Sequence, residues 1–228
     1  MAQGQGHTPL QTADGSGTLI SEQHHCTYHS KYGALTESRH VFLETGLQEA
    51  IKRFGRKLNI LEAGFGTGLN ALLTLQAARD VQLECWYTAL EKFPISPDLL
   101  PALDYARASG HTGDEELFRS MHEIPFTLAA DITDFFVLEK RLIDFRDFSD
   151  TPYRYHLVYF DAFAPEVQPE LWTAEVFSRI AAAMAPEGVL VTYSSKGEVR
   201  RTLQSCGFSV EKVTGPPGKR EIVRAVRK

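Results

Sequence analysis

Short apolar runs alternate with longer helix-like stretches along most of this 228-residue chain, and that alternation limits the folds open to it. Strands separated by helical crossovers pair in parallel, and the helices then cover both faces of one sheet. We therefore predict an α/β fold with a doubly wound parallel sheet. The strand-like runs cover residues 58–63, 85–91, 126–130, 155–161 and 189–194.

The end of the chain follows a different pattern. Two strand-like runs, 208–213 and 221–226, are joined by Gly215-Pro216-Pro217-Gly218 with no helix between them, which predicts an antiparallel hairpin. Five parallel strands followed by such a hairpin are typical of the seven-stranded methyltransferase fold. Upstream of the first strand, a helical pattern over residues 41–54 leads to Gly55, which predicts a helix ending there.

The length and composition fit one globular domain, which we place at residues 18–228. Residues 1–17 are rich in Gly, Gln, Thr and Ser, so we expect a disordered tail. No apolar run is long enough to span a membrane, and no secretion signal is recognisable. Three widely spaced cysteines fit reduced thiols. We expect a cytoplasmic protein with no membrane partner.

Charge is distributed unevenly along the chain. The segment from Lys196 to Lys228 has nine Lys/Arg and three Asp/Glu, a net charge of +6. Because the whole chain has a net charge of −5, the rest of it carries −11. A basic C-terminal region could meet a phosphate backbone, although a solvated face of mixed charge is an equally good interpretation.

An acidic residue stands at the end of each of the first four predicted strands: Glu62, Glu91, Asp131 and Asp161. Ligands of open α/β sheets bind beyond the carboxyl ends of the strands. These four carboxylates are therefore the first candidates for a binding site.

The first acid is followed by Gly64-x-Gly66-x-Gly68, in which glycines allow a tight turn close to a ligand at a helix N-terminus. A dinucleotide fingerprint would need glycine where Leu69 stands, so a nucleoside with a charged amino-acid tail fits better. We predict an S-adenosylmethionine site, with Glu62 near the ligand's ammonium group. The other cofactor candidates in this region are Phe65, Asn70 and Lys92.

Glu91 could accept hydrogen bonds from both ribose hydroxyls, and Asp131 could accept one from the adenine amino group while Ile132 packs on the ring. A helix N-cap explains Asp131 equally well.

Asp161 is the catalytic candidate. It opens Asp161-Ala162-Phe163-Ala164-Pro165, and methyltransferases that act on nitrogen often carry an acidic or amide residue followed by proline and aromatic residues at this strand end. Its carboxylate could orient an amine and stabilise the developing positive charge. An Asp with an ordinary pKa near 3.9 is a poor base, so we expect the amine to lose its proton to solvent. A buried structural Asp is the competing interpretation.

Metal and hydrolase chemistry are disfavoured. His24-His25-Cys26-x-x-His29 has residue types that bind zinc, but no second pair follows at a supporting spacing, so we expect no metal. The Gly-x-Ser-x-Gly elbow of hydrolases is absent from the sequence.

Taken together, several motifs are specific to one family. Residues 28–226 resemble the methyltransferase domain of the bifunctional tRNA wobble-uridine enzymes called MnmC. One departure is Ala63, which stands where a small polar residue is usual. The resemblance rests on Tyr28-His29-Ser30, Thr36-Glu37-Ser38-Arg39-His40-Val41-Phe42, the run from Glu62 to Asn70, Glu91-Lys92-Phe93-Pro94, Asp161-Ala162-Phe163-Ala164-Pro165 with Leu171-Trp172, and Gly218-Lys219-Arg220-Glu221.

The resemblance implies transfer of a methyl group to the amine of 5-aminomethyl-(2-thio)uridine at the tRNA wobble position, with Asp161 meeting that amine. A splayed anticodon base could stack on aromatic residues, and basic residues could contact phosphates of the anticodon stem-loop. A flavin oxidase domain follows in the bifunctional enzymes, whereas this sequence ends at Lys228, so we expect a separate oxidase to supply the aminomethyl substrate. The substrate-side candidates are Tyr28, Tyr32, Phe163 and Tyr193 for the base, and Arg39, Lys219 and Arg220 for phosphates.

Two other functions remain open at this point. A polyamine aminopropyltransferase, or another enzyme acting on a small amine, could share the glycine loop and both acids. A non-catalytic RNA-binding module could keep the fold, although the acids at the strand ends argue against it.

Overall fold

A computed structural model describes residues 6–228 and contains two β-sheets. A small antiparallel sheet is formed by β1 (His7–Gln11), β2 (Gly17–Ser21) and β3 (Cys26–Thr27). The second sheet has eight strands and carries the rest of the fold. Its members are β4 (Lys57–Ala63), β5 (Glu84–Glu91), β6 (Ala129–Thr133), β7 (Phe136–Leu142), β8 (Tyr155–Phe160), β9 (Met184–Thr192), β10 (Phe208–Thr214) and β11 (Glu221–Arg227).

The order of the large sheet is β10-β11-β9-β8-β4-β5-β7-β6. The five central strands, β9, β8, β4, β5 and β7, run parallel. The last two strands form the predicted antiparallel hairpin, and β11 pairs antiparallel with β9. The seven-stranded doubly wound sheet is therefore confirmed, with β6 added as an antiparallel eighth strand at one edge.

Side chains alternate between two hydrophobic layers because successive residues of a strand point to opposite faces. In β4, Leu58 and Ile60 belong to one buried cluster, whereas Leu61 and Ala63 belong to the other. Both faces of the sheet are thus covered, as near-continuous apolar strands require.

The helices that cover the sheet lie between its strands or before them. The predicted helix ending at Gly55 is present: α1 (Ala34–Ser38) continues through a π-helical segment (Arg39–Leu47) into α2 (Gln48–Phe54), and Gly55 ends it with φ 79°. Gly46 lets this helix approach the sheet, since a Cβ there would lie 2.8 Å from Val191 Cγ2. The helices are α1 (Ala34–Ser38), α2 (Gln48–Phe54), α3 (Leu69–Val81), α4 (Tyr105–Ala108), α5 (Glu115–Glu123), α6 (Ala174–Ala183) and α7 (Gly197–Ser205). None of the described helices is long and apolar enough to cross a membrane.

The predicted third parallel strand was wrong. Residues 126–128 lie outside any strand, and Ala129–Thr133 forms the antiparallel edge strand β6. The parallel strand is β7, which the charged run Glu139-Lys140-Arg141 hides in the sequence. Its charges are accommodated because Glu139 pairs with Arg141 and Arg154, while buried Lys140 donates to His122 O and lies over the Phe126 ring.

The expectation of a disordered tail at residues 1–17 was wrong for residues 7–17; residues 1–5 lie outside the described part. Strand β1 pairs with β2 over five residues, and Leu19 belongs to the main hydrophobic cluster. Polar residues hold the turn between the strands: the Asp14 carboxylate accepts bonds from Ser16 and Thr36. The segment is held in place by such hydrogen bonds. The prediction of disorder rested on its lack of large apolar residues and therefore missed them.

Candidate active site

A cavity of about 420 Å³ opens at the carboxyl ends of the parallel strands. This is where open α/β sheets bind ligands, and the volume is typical of a small-molecule site. Its wall combines the glycine loop after β4, the ends of β5 and β8, the turn after β7 and part of the N-terminal sheet.

The glycine loop lies between β4 and α3. Gly64, Gly66 and Gly68 have φ values of 103°, 51° and 77°, which other residues rarely adopt. Gly64 and Gly66 line the cavity, as do Phe65 and Asn70. Gly68 faces the other way, and a Cβ there would lie 2.8 Å from His122 Nε2. Its predicted contact with a cofactor is replaced by a structural role in turning the chain.

Glu91 braces this loop. One carboxylate oxygen accepts a hydrogen bond from Gly66 N at 2.9 Å, and the other accepts one from Phe93 N at 2.7 Å. The side chain lines the cavity, so its remaining lone pairs can accept hydrogen bonds from the hydroxyl groups of a ligand there. Lys92, the next residue, also lines the cavity and donates to Asp144 Oδ2 at 2.8 Å.

Glu62 lies behind the cavity wall. It is fully buried, and Asn70 Nδ2 donates both to Glu62 Oε1 at 2.9 Å and to Asp161 Oδ2 at 2.8 Å. Burial raises the pKa of Glu62 well above its ordinary value. The enclosed Glu62 contacts Asn70, and this contact replaces the predicted direct contact with a ligand's ammonium group.

Asp161 stands beside the glycine loop at the end of β8. Its N–H donates to Ala63 O at 3.1 Å, and a Cβ on Gly64 would lie 3.0 Å from Asp161 O. Burial, reinforced by the charge of Glu37, raises its pKa to about 7, against the lowering effects of Asn70 and Lys219. The expectation of an ordinary Asp pKa was therefore wrong. Asp161 can exchange a proton near neutral pH, which suits a general base.

Asp131 and Ile132 lie away from the cavity. Asp131 is exposed on β6, where it pairs with Val137, and Val137 in turn pairs with Trp86 near the beginning of β5. The carboxyl end of β7 is Leu142, five residues further, or about 17 Å along the strand. The predicted adenine contacts were misplaced because the strand itself was misidentified.

Asp144 and Phe145 occupy the position that Asp131 and Ile132 were predicted to fill. Both follow β7, and both line the cavity. Hydrogen bonds from Arg146 and Lys92 lower the pKa of the Asp144 carboxyl, which is therefore ionised. These two residues could have been found from the sequence, because an acid followed by an aromatic residue stands directly after the strand that is in fact the third parallel one.

The N-terminal sheet closes one side of the cavity. Tyr28 packs against the loop, within 3.3 Å of the position of a Gly66 Cβ, and its ring centroid lies 5.0 Å from that of Phe163. His24 and Cys26 also line the wall, and the His24 ring lies 4.9 Å from the Phe163 ring. Only Tyr28 and Phe163 of this group were predicted.

The remaining substrate-side candidates divide between the cavity and the surface. Tyr193 lines the cavity and donates to Ala162 O at 2.8 Å. Lys219 lines it too, and its ammonium lies 4.0 Å from the centroid of the Tyr193 ring. Tyr32 is 63% exposed and lies over Gly218, outside the cavity. Arg39 is exposed and donates to Ser109 O, and Arg220 is exposed.

Sequence reasoning missed Glu37 as a site residue, although the residue belongs to one of the family motifs. Its buried carboxylate lines the cavity, accepts Ser30 N at 2.8 Å and forms an ion pair with Lys219. Residues 30, 37 and 219 are too far apart in sequence for spacing to reveal this contact.

No cluster of three or more His, Cys, Asp or Glu side chains in residues 6–228 is arranged to hold a metal ion. His29 of the candidate zinc motif is buried, and its Nδ1 lies 2.9 Å from Thr18 Oγ1.

Comparison with known proteins gives a consistent result. A family model described as an S-adenosyl-L-methionine-dependent methyltransferase matches residues 132–228. The tRNA 5-methylaminomethyl-2-thiouridine biosynthesis bifunctional protein MnmC of Burkholderia multivorans is 31% identical over 91% of the chain, and that of Ectopseudomonas mendocina is 32% identical over 92%. The chain spans about a third of the length of these relatives, 33% in both cases.

Two solved structures have similar folds. MNMC2 from Aquifex aeolicus has a TM-score of 0.73 at 28% identity, covering 98% of this chain and 71% of that one. Spermidine synthase from Thermotoga maritima has a TM-score of 0.58 at 12% identity, covering 100% of this chain and 70% of that one, and this likeness concerns the fold alone.

The family resemblance expected from the motifs is confirmed by these matches. With its glycine loop, strand-end acids and seven-stranded core sheet, the chain is similar to the S-adenosyl-L-methionine-dependent methyltransferases and, over nine tenths of its length, to part of MnmC.

Proposed function

We propose that the protein transfers a methyl group from S-adenosylmethionine to the amine of 5-aminomethyl-(2-thio)uridine at the tRNA wobble position, giving 5-methylaminomethyl-(2-thio)uridine. The observation that carries the proposal is the position of Asp161, whose carboxyl shares one cavity with the glycine loop and is tied to the loop helix through Asn70. The tRNA base is inferred from the similarity to MnmC, a protein of 5-methylaminomethyl-2-thiouridine biosynthesis.

The residues of the cavity suit the methyl donor. A Cβ on Gly66 would take up space in the cavity between the glycine loop and Tyr28, so glycine keeps this space open for a ligand. Glu91, which accepts a hydrogen bond from Gly66 N, offers its carboxylate to the ribose hydroxyls. Asp144 and Phe145 would hold the adenine, the first as an acceptor and the second as an apolar surface. When bound, S-adenosylmethionine supplies an electrophilic methyl group on its sulfonium.

The acceptor amine reaches the site mainly as an ammonium ion and must lose a proton before its lone pair can react. Ionised Asp161 attracts this cation and accepts the proton, so that the ammonium becomes a neutral amine and the carboxylate a carboxylic acid. The same side chain fixes the direction of the lone pair by hydrogen bonding, which favours an in-line transfer. Phe163, Tyr28 and Tyr193 form an aromatic wall for the base.

Contacts with the rest of the anticodon stem-loop would fall on the surface around the cavity mouth. Exposed Tyr32 lies over Gly218, next to Lys219 of the cavity wall, and can stack a neighbouring base. Arg220 and Arg39 remain the candidates for phosphates. The basic C-terminal segment is more neutralised than its +6 implies, because Glu166, Glu37 and Glu49 from elsewhere pair with Lys196, Lys219 and Arg224.

The proposal includes a cytoplasmic location, where tRNA is modified, and a separate oxidase that produces the aminomethyl group. The location is inferred from the tRNA substrate, and the need for an oxidase is inferred from chemistry, since a methyltransferase site supplies no oxidant.

The deciding experiment is mass spectrometry of nucleosides from tRNA incubated with the protein and S-adenosylmethionine labelled in the methyl group. We expect one labelled methyl group only on 5-aminomethyl-(2-thio)uridine, and none on tRNA that lacks the aminomethyl group. Tighter binding of decarboxylated S-adenosylmethionine, with polyamine formation, would favour an aminopropyltransferase instead. An Asp161→Ala variant that retains the full biological effect would indicate a non-catalytic RNA-binding module.

A further inference from the structure

Glu37 and Lys219 form an ion pair inside the cavity wall, on the side of Asp161. The two residues come from opposite ends of the chain: Glu37 belongs to α1, and Lys219 lies just before β11. A partly buried ion pair contributes little net stability, because taking its charges out of water costs about as much as their attraction returns. Its presence beside the reacting groups therefore calls for a functional explanation.

The pair is held in place by neighbours on both sides. Ser30 N donates to the carboxylate of Glu37 at 2.8 Å. The Lys219 ammonium lies 4.0 Å from the centre of the Tyr193 ring, a distance at which a cation is attracted to the ring face. Tyr193 in turn donates its hydroxyl to Ala162 O at 2.8 Å, and Ala162 is the residue after Asp161. A continuous set of contacts thus links the ion pair to the loop that carries the catalytic carboxyl.

The charges of the pair act on Asp161 in opposite directions. Glu37 raises the pKa of Asp161, and Lys219 lowers it. The other groups facing Asp161 are Asn70, which donates to it, and the Glu62 carboxyl and Tyr193 hydroxyl, whose pKa values are both raised by burial, which favours their neutral forms. The two members of the ion pair are therefore the charged groups that oppose each other at this carboxyl.

We propose that Glu37 and Lys219 are positioning residues, which together set the charge that Asp161 presents to the acceptor amine and hold Tyr193 against the Asp161 loop. This inference rests on the proposed function for the identity of the amine. It also reassigns Lys219, whose predicted contact with a tRNA phosphate is replaced by a contact within the cavity.

The test is a pH titration of Asp161 in the folded protein. The pKa is measured by NMR from the carboxyl carbon, in protein labelled with ¹³C at aspartate. Glu37→Gln leaves Lys219 unopposed and should lower the pKa of Asp161 by about 1 unit, whereas Lys219→Met leaves Glu37 unopposed and should raise it by a similar amount. The double variant should return close to the wild-type value. Lys219→Arg keeps the positive charge and should keep the pKa.

Lys212→Met is the matched control, because it removes a lysine from an ion pair with Glu221 outside the cavity. It should leave the titration of Asp161 unchanged. If Glu37→Gln does not fold, the contrast between Lys219→Met and Lys219→Arg still tests the sign. Shifts of both single variants in the same direction, or no shift in either, would overturn the proposal.

The pH dependence of kcat/KM gives a second readout for the methyl transfer. Its acid limb should move down by about 1 pH unit in Glu37→Gln and up by about 1 in Lys219→Met, which a purely structural role would not produce. The NMR titration needs no substrate. Opposite NMR shifts in a protein that methylates no aminomethyluridine would therefore retain the ion-pair proposal and reject the proposed function.

Discussion

The two halves of the cavity are built in different ways. The half proposed to bind the cofactor consists of short contiguous segments at the carboxyl ends of parallel strands: Gly64 to Asn70, Glu91 to Phe93, and Asp144 with Phe145. The acceptor half combines Tyr28 and Glu37 from the N-terminal region with Asp161 and Phe163, Tyr193, and Lys219. In the first half the backbone of a glycine loop forms much of the surface, whereas the second half is formed by ionisable and aromatic side chains.

This difference separates binding from chemistry. A loop of glycines braced by Glu91 forms a cradle whose shape is fixed by hydrogen bonds from backbone N–H groups to that carboxylate. The acceptor half depends on which of its carboxyls are ionised. Substitutions in the two halves should therefore affect different measurements.

The largest effect is expected from Asp161→Asn, which keeps the shape and an oxygen to accept the Asn70 hydrogen bond but cannot take a proton. Methyl transfer should fall by about 1000-fold, the range for loss of a general base, while cofactor affinity by calorimetry changes little. An equal loss of cofactor affinity would contradict the division between the two halves.

The same variant has a predictable effect on stability. The folded pKa of Asp161, about 7, lies above its ordinary value of 3.8, so its contribution to stability is present at low pH and is lost as pH rises through 7. Relative to wild type, Asp161→Asn should therefore gain stability as the pH rises from about 4 to about 7 and change little above that, as measured by urea unfolding at each pH.

Gly66→Val should remove cofactor binding, with a loss of affinity of about 100-fold or more. Its Cβ would lie 3.3 Å from the Tyr28 ring, and its φ of 51° strains any branched side chain by about 1–2 kcal/mol. Gly110→Val is the matched control: φ is also positive, at 88°, but nothing lies within 4 Å. It should lose stability and retain cofactor affinity, as isothermal titration calorimetry can show.

Asp144→Asn and Asp131→Asn test the correction to the third strand. We expect about tenfold weaker cofactor binding for Asp144→Asn, the scale of one charge-assisted hydrogen bond, and no change for Asp131→Asn. Weakening by Asp131→Asn alone would restore the assignment made from sequence.

The smallest effect is expected from Arg220→Ala on tRNA binding, a loss of a few-fold with a decrease of about 1 in the slope of log affinity against log salt. Lys57→Ala is the control, because Lys57 lies at the amino end of the central strand β4, away from the cavity, where it pairs with Glu84. An unchanged salt slope for Arg220→Ala would remove this residue from the phosphate contacts.

Sequence patterns were reliable where local physics dominates. Four of the five parallel strands and the hairpin were located because apolar runs and turn residues mark them without reference to the rest of the chain. The strand β7 escaped because its charged residues are compensated by distant partners, among them Arg154 for Glu139. The first residues of the described chain escaped for a similar reason, since hydrogen bonds to Asp14 fold them in place of an apolar pattern.

The amino-acid sequence by itself determined four of the five parallel strands, the hairpin, the glycine loop and the class of cofactor, because strand period and glycine conformation are local properties. Only the tertiary structure decided that Asp144 stands where Asp131 was expected, that Glu62 is enclosed, and that Glu37 and Lys219 meet beside Asp161. Strand register, burial and the charge of a carboxyl depend on neighbours that are remote in sequence. The proposed reaction with the acceptor amine therefore depends on the residues around Asp161, which only the tertiary structure brings together.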